Sequence, residues 1–268
     1  MTEFPETPLT TENPYNDKID QELFNNTMKG QWNKVVEAYK NNSHAQVARI
    51  TRSGDTALHR AVSDSETKIA LELLEFVQPE ALKNMSNEQG NTPLHLAAAL
   101  GNLEICKKVL SKNVRVIGAR NRDGETPLFI AALHGKEDVF FFLYGFVKEV
   151  TDEQYLRRSN GDTVLHVAIS FEFFRMAFRI IQLRPDFVDS SNVYGLSPLH
   201  ILASKPDAFK SSTRLGRFDR ITYSCLLVVA NEDKEAINST SGEKKNKDPY
   251  PENSTRAEGF GVVQAKSR

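Results

Sequence analysis

GNTPLHLAA, residues 90–98, is the stretch whose reading decides the fold. Gly90 closes the polar run NEQ, and glycine supplies positive φ in a turn without steric cost. Thr92 suits an N-cap, where its side-chain oxygen accepts from an early helix N–H. Pro93 suits the first helical position, where its missing donor costs nothing. Leu94, Ala97 and Ala98 then fall at i, i+3 and i+4 on one apolar helix face. The two alanines are small enough to let a neighbouring helix approach, and Gly101 ends the helix. A second helix is expected in NLEICKKVL, residues 102–110. Its apolar stripe is Leu103, Ile105, Cys106, Val109 and Leu110, with Lys107 and Lys108 facing outward. Residues 111–124, SKNVRVIGARNRDG, read as polar turn leading into the next copy.

There are four near-copies. GDTALHRAV begins at Gly54, GETPLFIAA at Gly124, GDTVLHVAI at Gly161 and GLSPLHILA at Gly195. The five glycines lie 36, 34, 37 and 34 residues apart in chain order. A period of about 33–34 residues is the mark of a stacked array. One unit of turn, short helix, turn and longer helix cannot bury its own apolar face, so it must stack on a copy.

T-P-L-H-x-A at this period resembles the ankyrin repeat. The resemblance implies that the motif histidine, here His59, His95, His166 and His200, hydrogen-bonds backbone groups and stitches neighbouring turns together. Phe129 stands at that position in the third copy, which removes the imidazole there. The expected fold is therefore all-α, an ankyrin-repeat solenoid of about six helix-turn-helix units with disordered termini. Its boundaries are a disordered lead-in at 1–18, the repeat domain at 19–230 and a disordered tail at 231–268. Within the domain come a degenerate N-terminal cap at 19–50, motif repeats starting near 51, 87, 121, 158 and 192, and a C-terminal capping helix at 214–230. In the cap, Trp32, Val35, Val36 and Tyr39 form an apolar face.

Three further stretches narrow the resemblance: GQWNKVVEAYK at 30–40, GLSPLHILASKPDAFKSSTRLGRF at 195–218 and YPEN at 250–253. Together they resemble plant ankyrin proteins of the accelerated-cell-death type, which carry a C-terminal transmembrane PGG domain. The resemblance implies a signalling role in stress and defence, exercised through protein partners on the cytosolic side of a membrane. This sequence stops before any PGG segment. It holds no apolar run approaching the ~18 residues of a membrane span. The expected location is thus cytoplasmic, extending to the cytosolic face of the plasma membrane. Attachment there would come from a membrane-anchored partner, or from anionic lipid meeting the basic residues at 205–220: Lys205, Lys210, Arg214, Arg217 and Arg220.

The 268 residues carry a net charge of −1, and 26% are charged. That balance does not favour nucleic acid as a partner. The two cysteines, Cys106 and Cys225, fall on apolar helix faces and read as buried, reduced thiols. The sequence holds no phosphate-binding G-x4-G-K-[ST] loop, no G-x-S-x-G elbow and no metal-ligand cluster. No catalytic residue, cofactor, metal or small-molecule substrate is expected, and function must come from a surface that binds protein.

In the ankyrin pattern the contact positions flank the turn glycine and close the first helix. Transferred to this chain, the tips are Arg52, Ser53, Asp55, Glu88, Gln89, Asn91, Arg122, Asp123, Glu125, Ser159, Asn160, Asp162, Val193, Tyr194 and Leu196. The helix ends include Leu100, Leu133, His134, Ser170 and Phe171. The expected partner site comprises Glu88, Gln89, Arg122, Asp123, Leu133, His134, Phe171, Tyr194 and Leu196. Its energetic centre is placed in the C-terminal half, around Leu133, Phe171, Tyr194 and Leu196, because aromatic anchors are enriched in binding hot spots.

Overall fold

A computed structural model of the chain describes residues 14–148, 153–205 and 208. The expected capping helix at 214–230, the tail at 231–268, Cys225 and the basic residues Lys210, Arg214, Arg217 and Arg220 lie outside the described residues.

The described residues form helix pairs. Helix α1 (Pro14–Met28), α2 (Trp32–Asn41) and α3 (Ser43–Val47) make the N-terminal unit. Helix α1 starts inside the stretch expected as lead-in, with proline in its first turn, where the ring costs no hydrogen bond. Then follow α4 (Ala57–Ser63) with α5 (Thr67–Phe76), the short α6 (Pro79–Asn84), and α7 (Pro93–Leu100) with α8 (Leu103–Lys112). The last elements are α9 (Pro127–Leu133) with α10 (Glu137–Val147), α11 (Val164–Ser170) with α12 (Phe174–Leu183), and α13 (Pro198–Ala203).

The short helices α4, α7, α9, α11 and α13 pack on one another in chain order as a first row, and α2, α5, α8 and α10 as a second. Between the rows lies one apolar core. The motif alanines Ala61, Ala97, Ala98, Ala131, Ala132 and Ala168 are fully buried, so small side chains set the close approach of the first-row helices. The larger filling comes from Leu58, Leu94, Leu128 and Leu165 at the motif leucine, and from Leu73, Ile105, Phe140 and Ile180 on the longer helices. Cys106 is buried among them, and burial pushes its thiol up to about 12. A thiol held neutral in this way is no nucleophile at physiological pH.

Val35 and Tyr39 of the cap are fully buried, while Trp32 and Val36 pack at the core's edge. The Tyr39 hydroxyl accepts from the Leu58 N–H at 3.1 Å and so ties the cap to α4. The stretch after α8 differs from its sequence reading. Within 111–124 the chain turns through a 3-10 helix, Val114–Gly118, that buries Val116 and Ile117. A 3-10 helix also follows α10 (Glu153–Leu156) and α12 (Pro185–Asp189), burying Leu156 and Phe187, while the short α6 after α5 buries Leu82. Polar residues on either side masked the pair Val116 and Ile117.

Each turn from the first to the second helix needs a left-handed residue. Gly101 and Gly135 supply it at φ 80° and 62°, whereas Ser65 and Glu172 adopt it at φ 62° despite their Cβ atoms. Ser65 is exposed. Ser65→Gly is accordingly expected to raise unfolding free energy by about 1 kcal/mol. Urea titration of the two chains side by side measures this, and an unchanged midpoint would contradict it.

Candidate protein-interaction surface

The tips are built before the helices they lead into. In each unit the chain folds back through a turn closed by the motif glycine. The hairpin is held by Ile50 N–H to Asp55 O, Asn87 N–H to Asn91 O, Asn121 N–H to Glu125 O, Arg158 N–H to Asp162 O and Asn192 N–H to Leu196 O, at 2.8 to 3.0 Å. Successive hairpins are joined by Glu88 N–H to Ser53 O, Arg122 N–H to Gln89 O, Ser159 N–H to Asp123 O and Val193 N–H to Asn160 O. Gly90 shows why glycine is needed. Its φ is +80°, and a Cβ there would lie 2.9 Å from the Asn121 Cα.

A polar ladder runs behind the tips. Asn87, Asn121 and Asn192 each sit three residues before a turn glycine. Their side-chain oxygens accept two backbone N–H groups apiece, from Gln89 and Asn91, from Asp123 and Glu125, and from Tyr194 and Leu196. Their amide groups reach the preceding unit: Asn87 donates to Asp55 at 2.8 Å, Asn121 to Asn91 at 3.1 Å, and Asn192 to Asp162 at 2.8 Å. Arg158 takes the fourth unit's place, pairing with Glu125 at 3.3 Å and Asp162 at 2.7 Å. Burial alone would raise the Asp162 carboxyl, but hydrogen bonds from Asn192, Arg158 and Asn160 outweigh it and hold the group below the usual carboxylate range. Glu125 and Asp162, read from the sequence among the contact positions, are buried in this ladder and are not free to meet a partner. After Gly124 and Gly161 the next residue is buried and the residues before the glycine carry the exposed side chains, whereas Leu196, after Gly195, is exposed. Recurrence of asparagine three positions before glycine was the signal for the ladder. It was readable in principle but merged with ordinary turn polarity.

The motif histidines act between units. His59 Nδ1 accepts from the Thr56 N–H at 3.2 Å, His95 Nδ1 from Thr92 at 3.0 Å, and His166 Nδ1 from Thr163 at 3.1 Å. Nε2 therefore carries the proton and donates to the next unit: to Asn91 O at 3.0 Å, Glu125 O at 3.1 Å and Leu196 O at 3.0 Å. Thr92 and Pro93 occupy the N-cap and first helical position of α7, as their types require. His200 makes the same local contact with Ser197 N–H at 3.2 Å and is exposed. Burial lowers the three bridging imidazoles below the ordinary histidine value, His95 to about 4.

Phe129 breaks this pattern and the unit compensates. With no imidazole beside it, the Thr126 hydroxyl donates across to Tyr155 O at 2.7 Å, and the Phe129 ring is fully buried with the Arg158 guanidinium 5.8 Å from its centroid. Arg120 adds a second clamp, donating to Gly124 O at 2.6 Å and to Gln154 O. Arg157 repeats that clamp in the next unit, donating to Gly161 O at 2.8 Å and to Ser191 O at 3.3 Å.

The expected site residues fall into two strips. Glu88, Gln89, Arg122, Asp123, Tyr194 and Leu196 are exposed on tips, at the N-terminal ends of the first-row helices. Leu133, His134 and Phe171 lie at the C-terminal ends, a helix length of about 10 Å away. Leu133 is partly buried against the core and His134 is exposed. Phe171, 56% exposed, stacks on Phe173 with centroids 6.3 Å apart. Phe173 in turn lies so close over Gly135 that a Cβ there would meet its ring at 2.7 Å. Tyr194 is 74% exposed. Among the described residues no group of His, Cys, Asp and Glu is arranged to hold a metal ion. No helix there is long and apolar enough to cross a membrane.

Residues 25–117 and 76–152 match, as two overlapping stretches, the family model for ankyrin repeats in three copies. These are ankyrin repeats. The units that begin at Arg158 and Asn192 continue the same hairpin, capping box and helix geometry. Over 121 residues the chain is 32% identical to human neurogenic locus notch homolog protein 4, covering 44% of this chain and 6% of that protein. It is 34% identical to chicken NF-kappa-B inhibitor alpha over 93 residues, 34% of this chain and 29% of that one. A rice (Oryza sativa subsp. japonica) protein, the probable E3 ubiquitin-protein ligase XBOS33, is 39% identical over 109 residues, 40% of this chain and 20% of that one. The chain thus spans less than a third of each of these relatives. Ankyrin repeats are protein-interaction modules, and the described residues form a helical array with exposed side chains at its tips.

Proposed function

We propose that this chain is a non-catalytic adaptor that holds a protein partner along the tips and first-row helices, with Phe171 and Tyr194 as its anchors. The observation carrying this reading is the exposure of those two rings on held backbone: Tyr194 on a tip fixed by the ladder and the inter-unit bonds, and Phe171 at the C-cap of α11. A pre-set aromatic loses little entropy on binding, which is why such residues dominate interface energetics. Glu88, Gln89, Arg122 and Asp123 supply polar rim contacts on the neighbouring tips, and Leu133, His134 and Leu196 complete the surface. The resemblance to plant accelerated-cell-death-type proteins makes the process stress or defence signalling. Similarity to a rice ankyrin protein supports a plant setting. The second reading, a membrane-associated regulator held by a partner chain or by the basic 205–220 face, rests on residues outside those described, except Lys205, which pairs with Glu172 at 3.0 Å.

The test is titration of a partner isolated by cross-linking in the native cells. Phe171→Ala and Tyr194→Ala are each expected to weaken it about tenfold or more, with thermal unfolding unchanged. Equal affinity of all three chains would reject the anchor assignment.

A further inference from the structure

The second-row helices carry a surface that the adaptor reading does not use. Aligned from their first residues, Thr67, Leu103, Glu137 and Phe174, they present equivalent outward positions. On α5 these are Leu71, Glu72, Glu75 and Phe76, and on α8 Lys107, Lys108, Ser111 and Lys112. On α10 they become Phe141, Phe142, Gly145 and Phe146, and on α12 Phe178, Arg179, Gln182 and Leu183. Charge on the early units gives way to aromatic rings on the later ones. Phe146 and Phe178 are each 45% exposed. Phe146 packs edge-on to Phe142 at 5.3 Å, and a side chain added at Gly145 would meet nothing within 4 Å. Phe146 thus stands beside open space, while Phe141 and Phe142 are partly buried against the core.

Cations rim the rings. The Lys107 ammonium lies 5.9 Å from the Phe142 centroid and the Arg179 guanidinium 3.7 Å from that of Phe141. Arg175 and Arg179 share the single carboxylate of Glu137, at 2.6 and 2.5 Å, which leaves one positive charge in excess. Across α8, α10 with its C-cap Lys148, and α12 there are six cations and three carboxylates, and Glu75 of the neighbouring α5 pairs with Lys108 at 2.5 Å, so the face keeps a positive excess of two in a chain whose net charge is −1. Exposed rings beside cationic side chains match the chemistry of an anionic bilayer interface. There apolar tips enter the headgroup–acyl boundary while ammonium and guanidinium groups reach lipid phosphates. A protein partner would instead need a shaped recess facing these rings. We infer that the outward face of α10 and α12, with Lys107 and Lys148 at its rim, docks peripherally on an anionic membrane surface.

The test is flotation of the full chain with phosphatidylcholine vesicles, with and without phosphatidylserine. Binding is expected only with the anionic lipid and is expected to weaken as salt rises. The double variant Phe146→Ser/Phe178→Ser should lower the bound fraction about tenfold or more at unchanged thermal unfolding. Phe146→Trp should show blue-shifted emission on vesicles, quenched by lipids brominated near the headgroup. Absence of binding, or binding that survives the double serine variant, overturns the inference. So does binding abolished only by charge reversal at 205–220. Phe171 and Tyr194 are untouched in these variants, so failure here leaves the adaptor reading standing, and failure there leaves this one.

Discussion

Phe129→Ala is expected to lower the unfolding free energy by about 4 kcal/mol, within the usual range for a buried phenylalanine. The ring is fully buried at the position where the other units carry histidine, and it forms the floor beneath Arg158. Its loss leaves a cavity between α9 and the ladder and loosens the guanidinium that joins Glu125 to Asp162. A close-packed interior relaxes only partly into such a void. Phe129→Leu should cost much less, because it keeps most of the volume. Urea unfolding of the three chains measures both effects. A Phe129→Ala loss below about 1 kcal/mol would show that the third unit does not depend on this ring.

Acid is expected to weaken the array through its histidines. The folded-state value of His95 is about 4 against an ordinary 6.5, because burial disfavours the charged form more than the Glu125 carbonyl favours it. Where the folded value is depressed, the unfolded chain binds protons first as pH falls. Stability is therefore complete above 6.5 and is lost progressively down to about 4. From pH 7.5 to pH 5 this residue alone should cost about 2 kcal/mol. His59 and His166, also lowered by burial, act in the same direction. Asp162, held low, loses its contribution only below the ordinary carboxylate range, so it does not contaminate the window. Urea midpoints at pH 7.5, 6 and 5 should fall in sequence. His95→Phe, copying the residue at 129, should flatten that slope even though it sacrifices the bond to Glu125. A wild-type midpoint constant over this range would contradict the assignment of neutral, bridging imidazoles.

Much of this was legible in the sequence for a simple reason. The apolar face at Leu94, Ala97 and Ala98 and the cap Thr92-Pro93 are local signals, and local signals repeated in register specify a stack. The same logic put Cys106 in the core, while the inter-unit role of the histidines came from the ankyrin resemblance. What escaped depends on where a side chain points after folding. Glu125 and Asp162 look like any charged turn residue, and only the twist of the hairpin sends them inward to Asn121, Arg158 and Asn192. The Thr126 bond to Tyr155 O crosses 29 residues and answers the missing imidazole, so no pattern within one repeat could show it. The aromatic run FFFLYGFV at 140–147 was visible in the sequence, but only as an apolar stretch too short to span a membrane. The exposure of its outer face follows from which helix positions the neighbouring unit leaves uncovered.

Partner-binding along the first row is the claim on which the account stands, and site-specific photo-crosslinking tests it most directly. A benzophenone side chain placed at 171 or 194 in the full chain, expressed in its own cells, is predicted to capture one protein from both positions. The same group at 68 or 104, on exposed second-row positions, is predicted not to capture it. Capture of that partner from the second-row positions alone would contradict the account.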